Sequence, residues 1–163
     1  ISCRNREVSR KIISQFYLLY PHLRWIAFKD LVQLTYEEFA EALKECAVAV
    51  WVDDESTFGT FPIESMKCDV PLIGKIPNIE PDWMGENGIW TYKVNDIPTL
   101  IGSYIMSWLE GAELDDEVKT NIKNTLIPYD KTITQNNIKS IFESFNSKRI
   151  ESLKTVINKS KEE

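Results

Sequence analysis

Residues 46–52 (Cys-Ala-Val-Ala-Val-Trp-Val) form an almost uninterrupted apolar run, followed at once by three carboxylates, Asp53, Asp54 and Glu55. A strand with one wet face alternates apolar and polar side chains. A strand covered on both faces of a parallel sheet reads instead as a continuous apolar run. This run therefore predicts a central strand of a parallel sheet that ends at an acidic turn.

The flanking sequence alternates strand and helix. Residues 1–4 read as a strand end. Asn5 is placed to cap a helix to about residue 20, with Val8, Ile12, Phe16 and Leu19 on one face and Pro21 as its breaker. Residues 23–28 read as a short apolar strand. Thr35 and Glu38 have capping-box spacing and open a helix through Phe39, Ala42 and Leu43. After a loop at 53–61, Pro62 marks the first turn of a short helix. Further strands are expected at 70–73 and 88–92. Asp96 is expected to cap a helix through Leu100, Tyr104, Ile105 and Leu109, stopped by Gly111. Helices at 115–126 and 134–145 and a tail helix from Lys148 follow. The pattern predicts an α/β, Rossmann-like three-layer sandwich with a mostly parallel sheet. A single domain spans 1–163, with a polar helical tail over about 134–163. Ligands of such sheets bind at the carboxyl ends of the strands, here the loops after Arg4, Phe28, Val52, Ile73 and Tyr92.

Composition limits the functions open to this fold. A formal net charge of −6 excludes a broad basic face for nucleic acid, though an anionic small ligand needs only a local positive site. No apolar stretch approaches the ~20 residues that span a bilayer. The 3 cysteines, Cys3, Cys46 and Cys68, have no C-x-x-C spacing. Cys46 and Cys68 read as small buried hydrophobes of a reducing compartment, which points to the cytoplasm. The sole histidine, His22, follows Pro21 at a turn, so it reads as a surface residue, and a structural zinc site is not expected. The sequence begins at Ile1 within a strand, which suggests a piece of a longer protein.

The acidic turn leads into Ser56-Thr57-Phe58-Gly59-Thr60-Phe61-Pro62-Ile63-Glu64. Free amides at a helix start, together with the helix dipole, favour an anion such as phosphate. Gly59 allows a ligand to approach the backbone closely. A carboxylate at Glu64, read as lying in the first helical turn, can accept both hydroxyls of a ribose. The plainer reading is that a first-turn glutamate stabilises its helix through the dipole.

The segment Thr57-Phe58-Gly59-Thr60-Phe61-Pro62-Ile63-Glu64-Ser65-Met66-Lys67-Cys68-Asp69-Val70-Pro71-Leu72-Ile73 resembles the signature of the retaining GT-B family often called glycosyl transferases group one, roughly E-G-F-G-L-P-x-x-E-A-M-A-x-G-x-P-V-I. Gly74-Lys75-Ile76-Pro77 stands where that family has a glycine-rich loop. Glu86-Asn87-Gly88-Ile89 is similar to its N-G-x-L-V turn and strand. The resemblance runs in register over 35–109. It implies the donor-binding, C-terminal half of a GT-B fold, moving a hexose from a nucleoside-diphosphate sugar to a glycan or lipid-linked acceptor without cofactor or metal. The partners implied are the nucleotide sugar and an N-terminal glycosyltransferase domain, which would carry any peripheral membrane association. The 163-residue chain alone is expected to be inactive. By the same resemblance Glu64 takes the ribose hydroxyls, and the backbone at Phe58, Gly59 and Thr60 holds the sugar and phosphate. Arg4 grips the diphosphate, and Arg10 and Lys11 stand nearest the family's lysine. Ser56 occupies a position near the donor sugar where the family has a glutamate, and Asn78 replaces the acid of a Pro-Glu pair. The plainer reading of the three basic residues is a solvated face at a helix start.

Two alternatives stay open. Asp53, Asp54 and Glu55 offer the oxygen ligands that suit Mg²⁺ or Mn²⁺ in a metal-dependent transferase. The same acids also fit a receiver-like interaction module without enzymatic activity. Of the tryptophans, Trp25, Trp51, Trp90 and Trp108 read as core residues, and Trp83, in a loop, stays open between a sugar-stacking ring and an anchor packed on the sheet.

Overall fold

The computed structural model describes residues 1–31, 34–55 and 58–159, with side chains to residue 151. The chain forms two compact units, Ile1–Leu126 and Ile127–Glu163. The first unit is α/β and holds strands β1 (Ser2–Cys3), β2 (Ala49–Val52), β3 (Leu72–Lys75) and β4 (Ile89–Thr91). They form a four-stranded sheet in the order β1-β2-β3-β4, every pair parallel, a layout that fits a Rossmann-like arrangement. Its helices are α1 (Arg6–Leu19), α2 (Tyr36–Lys44), α3 (Thr60–Lys67), α4 (Ile97–Leu109) and α5 (Asp116–Leu126).

Strand β2 is the expected central strand, buried along its whole length. Its ladder starts at Ala49, whose N–H donates to Pro71 O (2.8 Å), because the preceding Cys46 N–H is spent on Leu43 O at the end of α2. Strand β3 begins later than the apolar pattern at 70–73 suggests. Val70 N–H turns back to Ser65 O, Asp69 takes a left-handed φ of 58°, and Pro71 has no N–H to offer.

Alternation along β2 divides its side chains between two surroundings. Val50 and Val52, with Ile73 of β3, join Ile12 and Phe16 of α1 and Ile97, Ile101 and Ile105 of α4 in one core. Trp51 points the other way. Its ring meets Trp83 and Trp90, with centroids 5.7 and 6.4 Å away.

The helix ends follow the sequence. The Asn5 side chain accepts from Glu7 N (2.9 Å) and Val8 N (3.4 Å). Gly111, at φ 85°, closes α4, with Ala112 N–H bonded to Ser107 O and Gly111 N–H to Trp108 O. Asp96 stands at the N-cap of α4, but its side chain makes no cap bond and accepts from Thr91 Oγ1 instead (3.0 Å).

Thr35 and Glu38 form the full capping box. The Thr35 backbone N–H and hydroxyl hold the Glu38 carboxyl below the ordinary glutamate value of 4.5. A depressed carboxylate contributes stability above its unfolded pKa and loses it as pH falls through the folded value. Thr35→Ala removes the N-cap oxygen that accepts from Glu38 N and should cost about 1 kcal/mol at neutral pH. Alanine keeps the residue-35 N–H, the larger cause of the depression, so the linkage is tested by Glu38→Gln, whose cost should fade in melts taken below pH 4.5; a cost independent of pH would refute it.

Three expectations are corrected. Residues 23–28 are not a strand. Pro21–Leu23 is a 3-10 turn, and the following segment packs irregularly, with Tyr17 Oη donating to Ile26 O (2.6 Å) and Ile1 N to Lys29 O (2.9 Å). Trp25 and Trp108 are not core residues, being 61% and 48% exposed. The two helices expected at 134–145 and from 148 are one helix, α6 (Lys131–Lys159), in the second unit. No glycine or proline interrupts that stretch, and Ser147 Oγ donates back to Glu143 O (2.9 Å) within the helix instead of breaking it. No helix among the described residues is long and apolar enough to cross a membrane.

Candidate functional site

Parallel pairing brings the carboxyl ends of β1, β2 and β3 side by side, because Cys3 pairs with Val52 and Trp51 with Gly74. Arg4 and the acids 53–55 lie just beyond the ladder, and Lys75 is the last residue of β3, paired with Thr91. A cleft of about 500 Å³ opens there, lined by Cys3, Arg4, Asn5, Arg6, Val8, Val52, Asp53, Asp54, Glu55 and Val94.

All three acids of the turn are in ion pairs. The Arg4 guanidinium reaches Asp53 (3.2 Å) and Glu55 (3.0 Å). The Lys75 ammonium contacts Asp54 Oδ1 and also donates to Ile76 O (3.3 Å). The inner members, Asp53 and Lys75, retain only 14% and 15% side-chain exposure, whereas Arg4 and Glu55 face water. The outer pair therefore contributes no more than about 1 kcal/mol. Two cations thus flank one acidic turn, and each already holds a carboxylate.

Asp53, Asp54 and Glu55 do not converge as a metal site would require. They are drawn to cations on opposite sides, and among the described residues no group of three or more His, Cys, Asp or Glu could hold a metal ion.

Helix α3 starts beside this edge. Gly59 is its N-cap at φ 68°, and no side chain caps it. As N-cap, glycine brings no side-chain acceptor to the first-turn amides of Thr60 and Phe61, and Pro62 has no amide to satisfy. Gly59 also has a packing reason to be glycine. A Cβ there would lie 2.8 Å from Trp51 Cζ2 and 3.4 Å from Pro62 Cδ. Phe58 is half exposed, and its carbonyl accepts the indole N–H of Trp83.

The other predicted positions are scattered. Glu64 is half-buried and is the fifth residue of α3, not a first-turn residue, because the helix already begins at Thr60. The dipole effect fades beyond the first turn, which removes the plainer explanation for a glutamate at this place. Arg10 lines a second hollow of about 310 Å³ that also touches Arg4, Arg6, Phe28 and Asp30. Lys11 is exposed on α1 and lines neither hollow. Ser56 lies outside the described residues. His22 is exposed against Tyr20, their rings 6.1 Å apart.

Sequence reasoning missed Arg6 on the wall of this cleft and Lys75 on the far side of the acidic turn. Lys75 had a readable signal: it is the polar residue that ends an apolar strand, in one of the loops marked for inspection. Of the two readings open for Trp83, its burial fits the loop anchor. It is buried, and its carbonyl accepts from Asn87 Nδ2 (2.7 Å), which also donates to Thr125 Oγ1 on α5 (2.9 Å).

Comparison of the chain with protein-family models, with curated proteins and with solved structures finds no match in any of the three.

Proposed function

We propose that this chain is the nucleotide-sugar-binding half of a retaining GT-B glycosyltransferase, a three-layer Rossmann-like domain that takes its acceptor from an N-terminal partner domain. The observation that carries the reading is the 500 Å³ cleft at the carboxyl ends of β1 and β2, with Arg4 on its wall. Parallel α/β sheets place their ligands at such an edge. The start of α3, which follows the same turn and has a glycine N-cap, offers amides suited to a phosphate oxygen. Arg4 and Lys75 supply the local positive charge that a chain of net charge −6 otherwise lacks.

The donor would lie along this edge, its diphosphate toward Arg4 and the α3 amides and its ribose toward Glu64. Transfer itself requires an acceptor hydroxyl held about 3–3.5 Å from the anomeric carbon, a task for the partner domain. The metal-dependent alternative is weakened by the ion pairs that engage all three acids of the turn.

UDP, GDP and ADP, titrated without divalent metal, should bind with a dissociation constant of about 0.1–10 mM, or ~3–5 kcal/mol. Amide shifts should concentrate at residues 3–6, 52–55, 58–60 and 75. Shifts confined to the amino ends of the strands, or none at millimolar ligand, would sink the reading. Glu64→Gln should weaken this binding by ~1.5–3 kcal/mol with little change in melting temperature. An unchanged affinity with a shifted melt would return Glu64 to a purely structural role.

A further inference from the structure

We infer that the acidic turn Asp53–Glu55 is an internal competitor for its own anion site: it holds Arg4 and Lys75, and a diphosphate binds by displacing Glu55 from Arg4 and Asp54 from Lys75. The inference rests on the diphosphate reading above and adds to it a built-in brake on affinity.

The geometry carries the argument. Arg4 leaves the end of β1 and Lys75 the end of β3, one on each side of the turn that ends β2. Glu55 Oε2 sits 3.0 Å from Arg4 Nη1, and Asp53 Oδ2 sits 3.2 Å from Arg4 Nη2. The guanidinium fork is thus shared between two acids, in the manner it would otherwise offer two oxygens of one phosphate. Lys75 is engaged in the same way by Asp54. The turn also props its own shape, since Glu55 N–H donates to Asp53 Oδ1 (3.1 Å).

The pairs differ in how readily they open. Glu55 is 75% exposed, and water can replace its contact at small cost, whereas Asp53 is largely enclosed. An entering diphosphate therefore displaces Glu55 first and leaves Asp53 in place to orient the guanidinium. Coulomb repulsion by the remaining acids keeps the affinity low, so the site favours ligands that bring further contacts, such as a nucleoside, over free phosphate.

The test uses the 163-residue chain and inorganic pyrophosphate in chelator-containing buffer, followed by calorimetry and amide shifts. Glu55→Gln should tighten pyrophosphate binding about 2–5-fold, the range a surface pair supports. Removing a negative charge raises anion affinity at any site, so the decisive comparison is a cycle with Arg4→Gln. If Glu55 acts by holding Arg4, its gain disappears in the Arg4→Gln background. A gain of equal size in that background would overturn the proposal. Asp54→Asn with Lys75→Gln forms a second, independent cycle with the same expectation. Pyrophosphate binding that is equal in the wild type and in Glu55→Gln and Asp54→Asn would overturn the brake while leaving the diphosphate site standing. No binding in any variant would overturn both.

Discussion

Replacing Phe16 with alanine is expected to cost the first unit about 3–5 kcal/mol. Phe16 is fully enclosed, at 0% exposure. Its ring meets Tyr20 at 5.6 Å and Phe28 edge-on at 5.2 Å, and it belongs to the core that joins α1, α4 and the sheet. Its neighbours come from a helix, a strand pair and an irregular segment, so they cannot all close on the space left behind. A loss of this size is a large fraction of the stability of an ordinary domain. Chemical denaturation of Phe16→Ala, read against Leu18→Ala, is the measurement. Leu18 lies two positions away on the same helix but is 77% exposed, and its loss should change stability by less than ~0.5 kcal/mol. Similar costs for the two variants would mean that α1 does not pack on the sheet as described.

Gly59→Ala should be the second most damaging change, at about 2–4 kcal/mol from two separate causes. The backbone at φ 68° is left-handed, which costs a side chain roughly 1–2 kcal/mol. The added Cβ would also lie 2.8 Å from the Trp51 indole, which is itself packed against Trp83 and Trp90. The two causes separate in a double mutant. In a Trp51→Phe background the ring no longer reaches Gly59, so the added cost of alanine should fall to the backbone part alone. If Gly59→Ala leaves stability intact and removes only nucleotide binding, then the glycine serves ligand approach and not the indole.

Gly59 also shows where sequence reasoning reaches its limit. The motif around it places a glycine before a short helix, and both features are present. The ring against which that glycine is packed could not be foreseen. Trp51 lies in an apolar run whose alternation carries no sign of which face is which, because both faces are buried. Glu64 shows the same limit at closer range. The helix signal at Pro62 set the start two residues late, since Pro62 is the third residue of α3 and not the first. That shift moves Glu64 from the first turn to the second and changes the physical account of its charge.

What the sequence determined by itself is everything that rests on local chemistry or on the period of burial. The apolar run ending at Val52, the capping residues Asn5 and Thr35, the stop at Gly111 and the alternation of strand and helix are written in contiguous residues. They suffice for a mostly parallel α/β sheet, which the structure makes parallel at every pair, and for looking to its carboxyl edge for a site. The tertiary structure alone decided which charges meet there. Arg4 and Glu55 are 51 positions apart, and Lys75 and Asp54 are 21 apart. Their pairing depends on the register of β1 with β2 and of β2 with β3, which no local pattern encodes. It likewise decided that residues 23–28 lie beside the sheet without joining it and that Trp25 and Trp108 face water. Apolar character gives a segment a reason to be buried, but the space left by its neighbours determines whether it can be.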